Sequence, residues 1–146
     1  MNGYEYEEKC AKVLKNRGFS RVKVTKSSGD QGIDIIAYKN GEKYGIQCKY
    51  YSSPVGNKAV QEAYAGSKFY DCTQAAVMTN STFTKSAKEL ASKLDVQLWE
   101  ANIPNESHGI LSKILNFINT IALIGGIAAI IITKTSGSPD MKLFNY

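Results

Sequence analysis

Histidine and cysteine, the residues most often found at zinc sites and in nucleophilic hydrolases, are scarce in this chain, with one histidine and three cysteines in 146 residues. Cys10, Cys48 and Cys72 show no CxxC spacing and are odd in number, which argues against a zinc site or a disulfide framework and fits a reducing compartment. His108 sits in a polar stretch and reads as a spacer, so no Ser-His-Asp or Cys-His arrangement is supported. A secretory signal is missing as well, because Met1-Asn2-Gly3-Tyr4-Glu5 brings acids where a signal would bring a basic region and then an apolar run. The N-terminal part is expected to stay in the cytosol. With 43% hydrophobic and 21% charged residues the composition is that of a globular protein, and the length suits one core-forming domain plus an appendage.

What the chain does carry is a basic surplus. Lysine and arginine outnumber the acids 18 to 13, for a net charge of +5 and a pI near 9.0. That balance favours a polyanionic partner, and a solubilising surface explains it equally well.

Tyr6, Cys10, Val13 and Leu14 recur at helical spacing from Tyr4 to Arg17, and Gly18 stops the segment. Three strands follow, around Val22 and Val24, Ile33 to Ala37, and Tyr44 to Cys48, with breaks at Ser27-Ser28-Gly29-Asp30 and Asn40-Gly41. A helix over 57–70, a strand over 75–79, a helix capped by Thr84 and running to Leu94, and a strand over 96–99 complete a mixed α/β sheet flanked by helices. After this domain, over 1–101, a polar linker is expected at 102–113. Residues 114–133 hold no charge and match the length needed to cross a bilayer, so they are read as a single transmembrane helix, with a short polar tail at 134–146. Small-residue pairs Ala122/Gly126 and Gly125/Ala129 leave a homodimer open.

Asn40-Gly41 between two strands is a strong hairpin signal, because a type I′ turn needs positive φ at both central residues. If Lys39 pairs with Glu42, then Asp34 lies across from Gln47 and Gly32 across from Lys49. Asp34, Gln47 and Lys49 then project from one face, and Ile33, Ile35, Ala37, Ile46 and Cys48 from the other. A β-bulge would break this register. A carboxylate, a side-chain carbonyl and an amine on one otherwise apolar face suit metal-assisted phosphodiester chemistry: Asp34, Gln47 and the Cys48 carbonyl offer hard oxygen to Mg²⁺, and Lys49 a positive charge. An Asp34–Lys49 ion pair at a strand edge accounts for the spacing as well.

The blocks Gly29-Asp30-Gln31-Gly32-Ile33-Asp34 and Ile46-Gln47-Cys48-Lys49 resemble the catalytic signature of the Mrr-like restriction endonucleases, within the PD-(D/E)XK nucleases. Tyr6-Glu7-Glu8 with Gly18-Phe19, Val55 to Gln61, and Thr79-Asn80-Ser81 with Phe83-Thr84 extend the resemblance over Gly3 to Glu100. It implies a restriction-endonuclease-like fold and Mg²⁺-dependent cutting of DNA, with Mn²⁺ as a substitute and no small-molecule cofactor. Asp34, Gln47 and Lys49 match its motif, and Glu7 matches an acidic position that joins Asp34 and Gln47 at the metal. Gln47 stands where the wider superfamily more often has an acid.

Lys58 and Gln61 on the following helix, Tyr50 just past Lys49, and Asn80 in its turn are candidate DNA contacts; a solvated helix face, packing and turn formation are their plainer readings. Together these features give a membrane-tethered DNA endonuclease, its nuclease domain on the cytoplasmic side and its role restriction or defence against foreign DNA. The rival reading is an inactive DNA-binding membrane anchor that keeps the fold.

Overall fold

The computed structural model describes residues 1–25, 31–103 and the backbone of 141–144. Helix α1, Gly3–Asn16, starts at Asn2, whose side chain accepts the Glu5 amide at 2.9 Å while Glu5 Oε2 accepts the Asn2 amide at 3.2 Å. This reciprocal box satisfies two of the donors that a helix start leaves open. The stripe Tyr6, Cys10, Val13 and Leu14 is buried, as its spacing predicts.

Strands β1 (Ser20–Val24), β2 (Ile35–Lys39) and β3 (Glu42–Lys49) form an antiparallel meander. Asn40 and Gly41 have φ of 52° and 80°, so the β2–β3 turn is the expected type I′, and Lys39 pairs with Glu42. Helix α2, Asn57–Phe69, then carries the chain to β4, Gln74–Thr79, which lies parallel to β3. Helix α3, Lys85–Leu94, capped by Thr84 accepting the Ala87 amide at 3.1 Å, leads to β5, Val96–Ala101, parallel to β4. Met141–Phe144, within the stretch read as a polar tail, form β6, antiparallel to β5 at the sheet edge. The result is a mixed sheet in sequential order flanked by three helices.

Each sheet face has its own core. Tyr6, Cys10 and Leu14 of α1 pack with Phe19, Ile35, Ile46, Met78 and Trp99 on one side. Val60 and Ala63 of α2 and Ala87 and Ala91 of α3 pack with Ala75, Val77 and Leu98 on the other. β4, apolar from Ala75 to Met78 and buried from Ala75 to Thr79, is covered on both sides, as a central strand is.

The described residues belong to one compact unit. Nearly all of the expected linker and the whole transmembrane segment 114–133 lie outside the described residues. Among the described residues, no helix is long and apolar enough to cross a membrane.

Candidate active site

The β2–β3 pairing keeps its predicted register from Lys39↔Glu42 to Ile35↔Ile46 and then departs from it. The Asp34 amide donates to the Ile46 carbonyl at 2.9 Å, although the register partner of Ile46 is Ile35. Two consecutive residues thus answer to one, which is a β-bulge. Alternation breaks there. Ile33, expected on the face of Ile35 and Ala37, instead lies on the α2 side, where a Cβ added to Gly45 would come within 3.1 Å of its Cδ1. Strand pairing does not extend to a Gly32–Lys49 pair; Gln31 and Gly32 form a turn with φ of 52° and 82°. On the far side of the bulge, the Thr25 amide donates to the Asp34 carbonyl at 2.8 Å and the Thr25 hydroxyl to the Ile33 carbonyl at 2.6 Å.

The bulge does not separate Asp34 from Gln47. Asp34 Oδ2 accepts from Gln47 Nε2 at 2.7 Å and from the Cys48 amide at 2.6 Å, and both side chains are buried. Because Gln47 must present its NH₂ end to the carboxylate, its carbonyl end points elsewhere. Gln47 Oε1 is buried and has no hydrogen-bond partner. Lys49, two residues on and therefore on the same face, reaches Glu62 of α2 with Nζ 2.8 Å from Oε2. Burial favours the neutral amine at Lys49, but Glu62, together with Tyr51 and Asp34, outweighs it, and the net shift of the Lys49 pKa is upward. Below Lys49, the Cys48 thiol is pushed well above its usual range, first by its hydrogen bond with Cys10 and then by burial.

These residues border one open cleft of about 480 Å³, lined by Glu7 from α1, Gln31, Gly32, Asp34, Gln47, Lys49 and Glu62. Asp34, Gln47, Lys49 and Glu7 are therefore brought together as expected. A buried, partnerless amide oxygen beside a buried carboxylate is what a hard cation would satisfy, since an unpaired buried acceptor is unfavourable. Among the described residues no three His, Cys, Asp or Glu side chains cluster as a metal cage. Asp34 and Gln47 offer oxygen donors, the kind that a hard divalent cation takes.

The other expected contacts sit at the margins. Lys58 is exposed, with Nζ 3.9 Å from Glu62 Oε1. Gln61 is also exposed, and Tyr50, 38% exposed, rests its ring on Tyr6 at 5.4 Å. Asn80 uses both ends of its amide on the Tyr51 backbone, at 2.8 and 2.9 Å, and so ties two loops together, the plainer of its two readings. Glu62 was not anticipated. Its only local signal is the i,i+4 spacing from Lys58, which any solvated helix face could show.

Residues 1–103 match the profile of a restriction endonuclease family, Mrr_cat. An uncharacterized protein of Archaeoglobus fulgidus is 32% identical over 108 residues, 68% of this chain and 62% of the relative. A crystal structure of a protein of unknown function is 30% identical, with a TM-score of 0.57 over 66% of this chain and 57% of that one. The chain thus spans about three fifths of the length of these relatives.

Proposed function

The chain belongs to the Mrr-type restriction endonuclease family, and on that premise we propose that it is a Mg²⁺-dependent endonuclease that hydrolyses DNA phosphodiester bonds at the cleft of Asp34, Gln47 and Lys49. The observation that carries this reading is the partnerless, buried Oε1 of Gln47, a residue that bonds the Asp34 carboxylate and lines the same cleft as Lys49. An idle ion pair does not explain it. Asp34 Oδ2 accepts from Gln47 and from the Cys48 amide, and Lys49 pairs with Glu62.

Asp34, Gln47 Oε1 and the Cys48 carbonyl would hold the metal, with Glu7 bordering it. When bound, Mg²⁺ neutralises charge on a phosphate and lowers the pKa of an attacking water. The chain's own residues supply the rest. Gln47 Nε2 and the Cys48 amide fix the orientation of the Asp34 carboxylate, so it meets its partners without reorganising. Lys49, kept cationic by Glu62, stands ready to neutralise the charge that grows on the phosphate. The basic surplus of the whole chain supports attraction of DNA to the protein. The uncharged run 114–133 supports attachment to a membrane with the nuclease domain on the cytoplasmic side, and restriction of foreign DNA is the role this arrangement suits.

The test is nicking of supercoiled plasmid by the purified full chain. Cleavage is expected with Mg²⁺, none in EDTA, and a loss of about 100-fold or more with Lys49→Ala or Asp34→Ala. DNA binding without metal-dependent nicking would establish the rival, an inactive anchor.

A further inference from the structure

Glu62 lines the cleft, and the sequence pattern gives it no part there. It sits on α2, one helical turn after Lys58, and its side chain is 30% exposed. Its Oε2 lies 2.8 Å from Lys49 Nζ, while Lys49 itself is 19% exposed. Its placement is built in by close backbone approach. The Gln31–Gly32 turn, which leads into Asp34, presses on α2 so tightly that a Cβ on Gly32 would come 2.9 Å from the Glu62 carbonyl. One turn of α2 further on, a Cβ on Gly66 would meet the Gln31 carbonyl. Glycine at these two positions therefore ties the loop that carries Asp34 to the helix that carries Glu62. The backbone segments that carry the two carboxylates are thereby held close together.

We infer that Glu62 is a positioning residue for Lys49, its carboxylate on α2 holding the Lys49 ammonium over the cleft where Asp34 and Gln47 meet. This rests on the nuclease reading. A lysine reaches its charge through a long flexible stem, so an unrestrained ammonium would spend most of its time away from any one site. An ammonium has three donors. The ion pair with Glu62 restrains the stem, and donors not directed at Glu62 are left for an oxygen in the cleft. Asp34 Oδ2 accepts from Gln47 and from the Cys48 amide, whereas Glu62 is the carboxylate that lies 2.8 Å from the Lys49 ammonium. Lys58, 88% exposed and 3.9 Å from Glu62 Oε1, steadies the carboxylate from the solvent side.

The experiment compares the full chain with Glu62→Gln and Glu62→Asp in single-turnover plasmid nicking with Mg²⁺, alongside DNA affinity in EDTA. Glu62→Gln keeps the size of the side chain and removes its charge. It is expected to lower the single-turnover rate about 10- to 100-fold, the scale on which a misplaced group slows a reaction, while DNA affinity weakens less than twofold. Glu62→Asp is expected to recover part of the rate. A Glu62→Gln rate within threefold of wild type, or a loss confined to affinity, overturns the proposal. Nitrogen-15 NMR of the Lys49 ammonium decides the matter independently of cleavage. A narrow, slowly exchanging signal is expected in the wild type and a broadened one in Glu62→Gln; identical signals overturn the proposal. If the wild-type chain does not cut DNA, the nuclease reading fails while this signal still shows whether Glu62 holds Lys49.

Discussion

Replacing Gln47 by glutamate would put a second carboxylate where an amide now donates to Asp34 Oδ2 at 2.7 Å. Two carboxylates about 4 Å apart at an effective dielectric of about 20 repel by about 4 kcal/mol, and losing the hydrogen bond adds about 1 kcal/mol. The introduced carboxyl can avoid this by taking up a proton. From an ordinary pKa of about 4.3, staying protonated at pH 7 costs about 3.7 kcal/mol, somewhat less than the repulsion. The protonated form also regains a donor for Asp34. The folded-state pKa of the introduced group is thus raised above its unfolded value, so the variant's relative stability is greatest below about pH 4.3 and is lost as the pH rises toward about 7. The deficit of Gln47→Glu against wild type is then about 4 kcal/mol at pH 7 and about 1 kcal/mol at pH 5, a slope near 1.4 kcal/mol per unit. Thermal unfolding in EDTA, followed by circular dichroism, should show a melting point lower by at least about 15 °C at pH 7. Mg²⁺ should narrow that gap, because the added charge strengthens the site it binds. A gap under about 3 °C at pH 7, or one that does not shrink on acidification, refutes the Asp34–Gln47 contact.

Gly66→Ala should lower stability by about 1–3 kcal/mol in urea denaturation, because its Cβ would meet the Gln31 carbonyl and come within 2.7 Å of Ile33 Cγ1. Gly3→Ala, with nothing within 4 Å, should stay within about 0.5 kcal/mol of wild type, and equal effects at the two positions would count against the close packing of α2 on the turn. With its thiol buried and its pKa pushed up, Cys48 should react with iodoacetamide at pH 8 at least about 100-fold more slowly in the native protein than in denaturant; prompt native labelling, read by mass spectrometry, would contradict its placement.

Much of the fold is legible in periodicity and turn chemistry. The apolar stripe of α1, the Asn40-Gly41 turn and the Thr84 cap are local features, each set by residues within a few positions of one another. The bulge is not legible in that way. Alternation along residues 33–37 predicts a regular strand with Ile33 beside Ile35, but the Asp34 amide shares the Ile46 carbonyl and its carboxylate captures the Cys48 amide. Those competing hydrogen bonds move Ile33 to the other face and leave no trace in a hydrophobic pattern. Asp34, Gln47 and Lys49 still converge, because the bulge lies at the end of the pairing and the Asp34 side chain bends toward Gln47. Glu62 was hidden for a different reason: its contact with Lys49 depends on where α2 lands on the sheet, which the Gly32 and Gly66 approaches decide in three dimensions. Asn80 shows the converse, since a residue type suited to phosphate is used up in joining two loops.

The pairing of Ala101 with Met141 gives β5 a neighbour on the edge that it would otherwise present to solvent. An unpaired strand edge is a ready template for pairing with another chain. The strand that takes that place, β6, is four residues long, and a short edge strand offers a second chain little backbone to pair with.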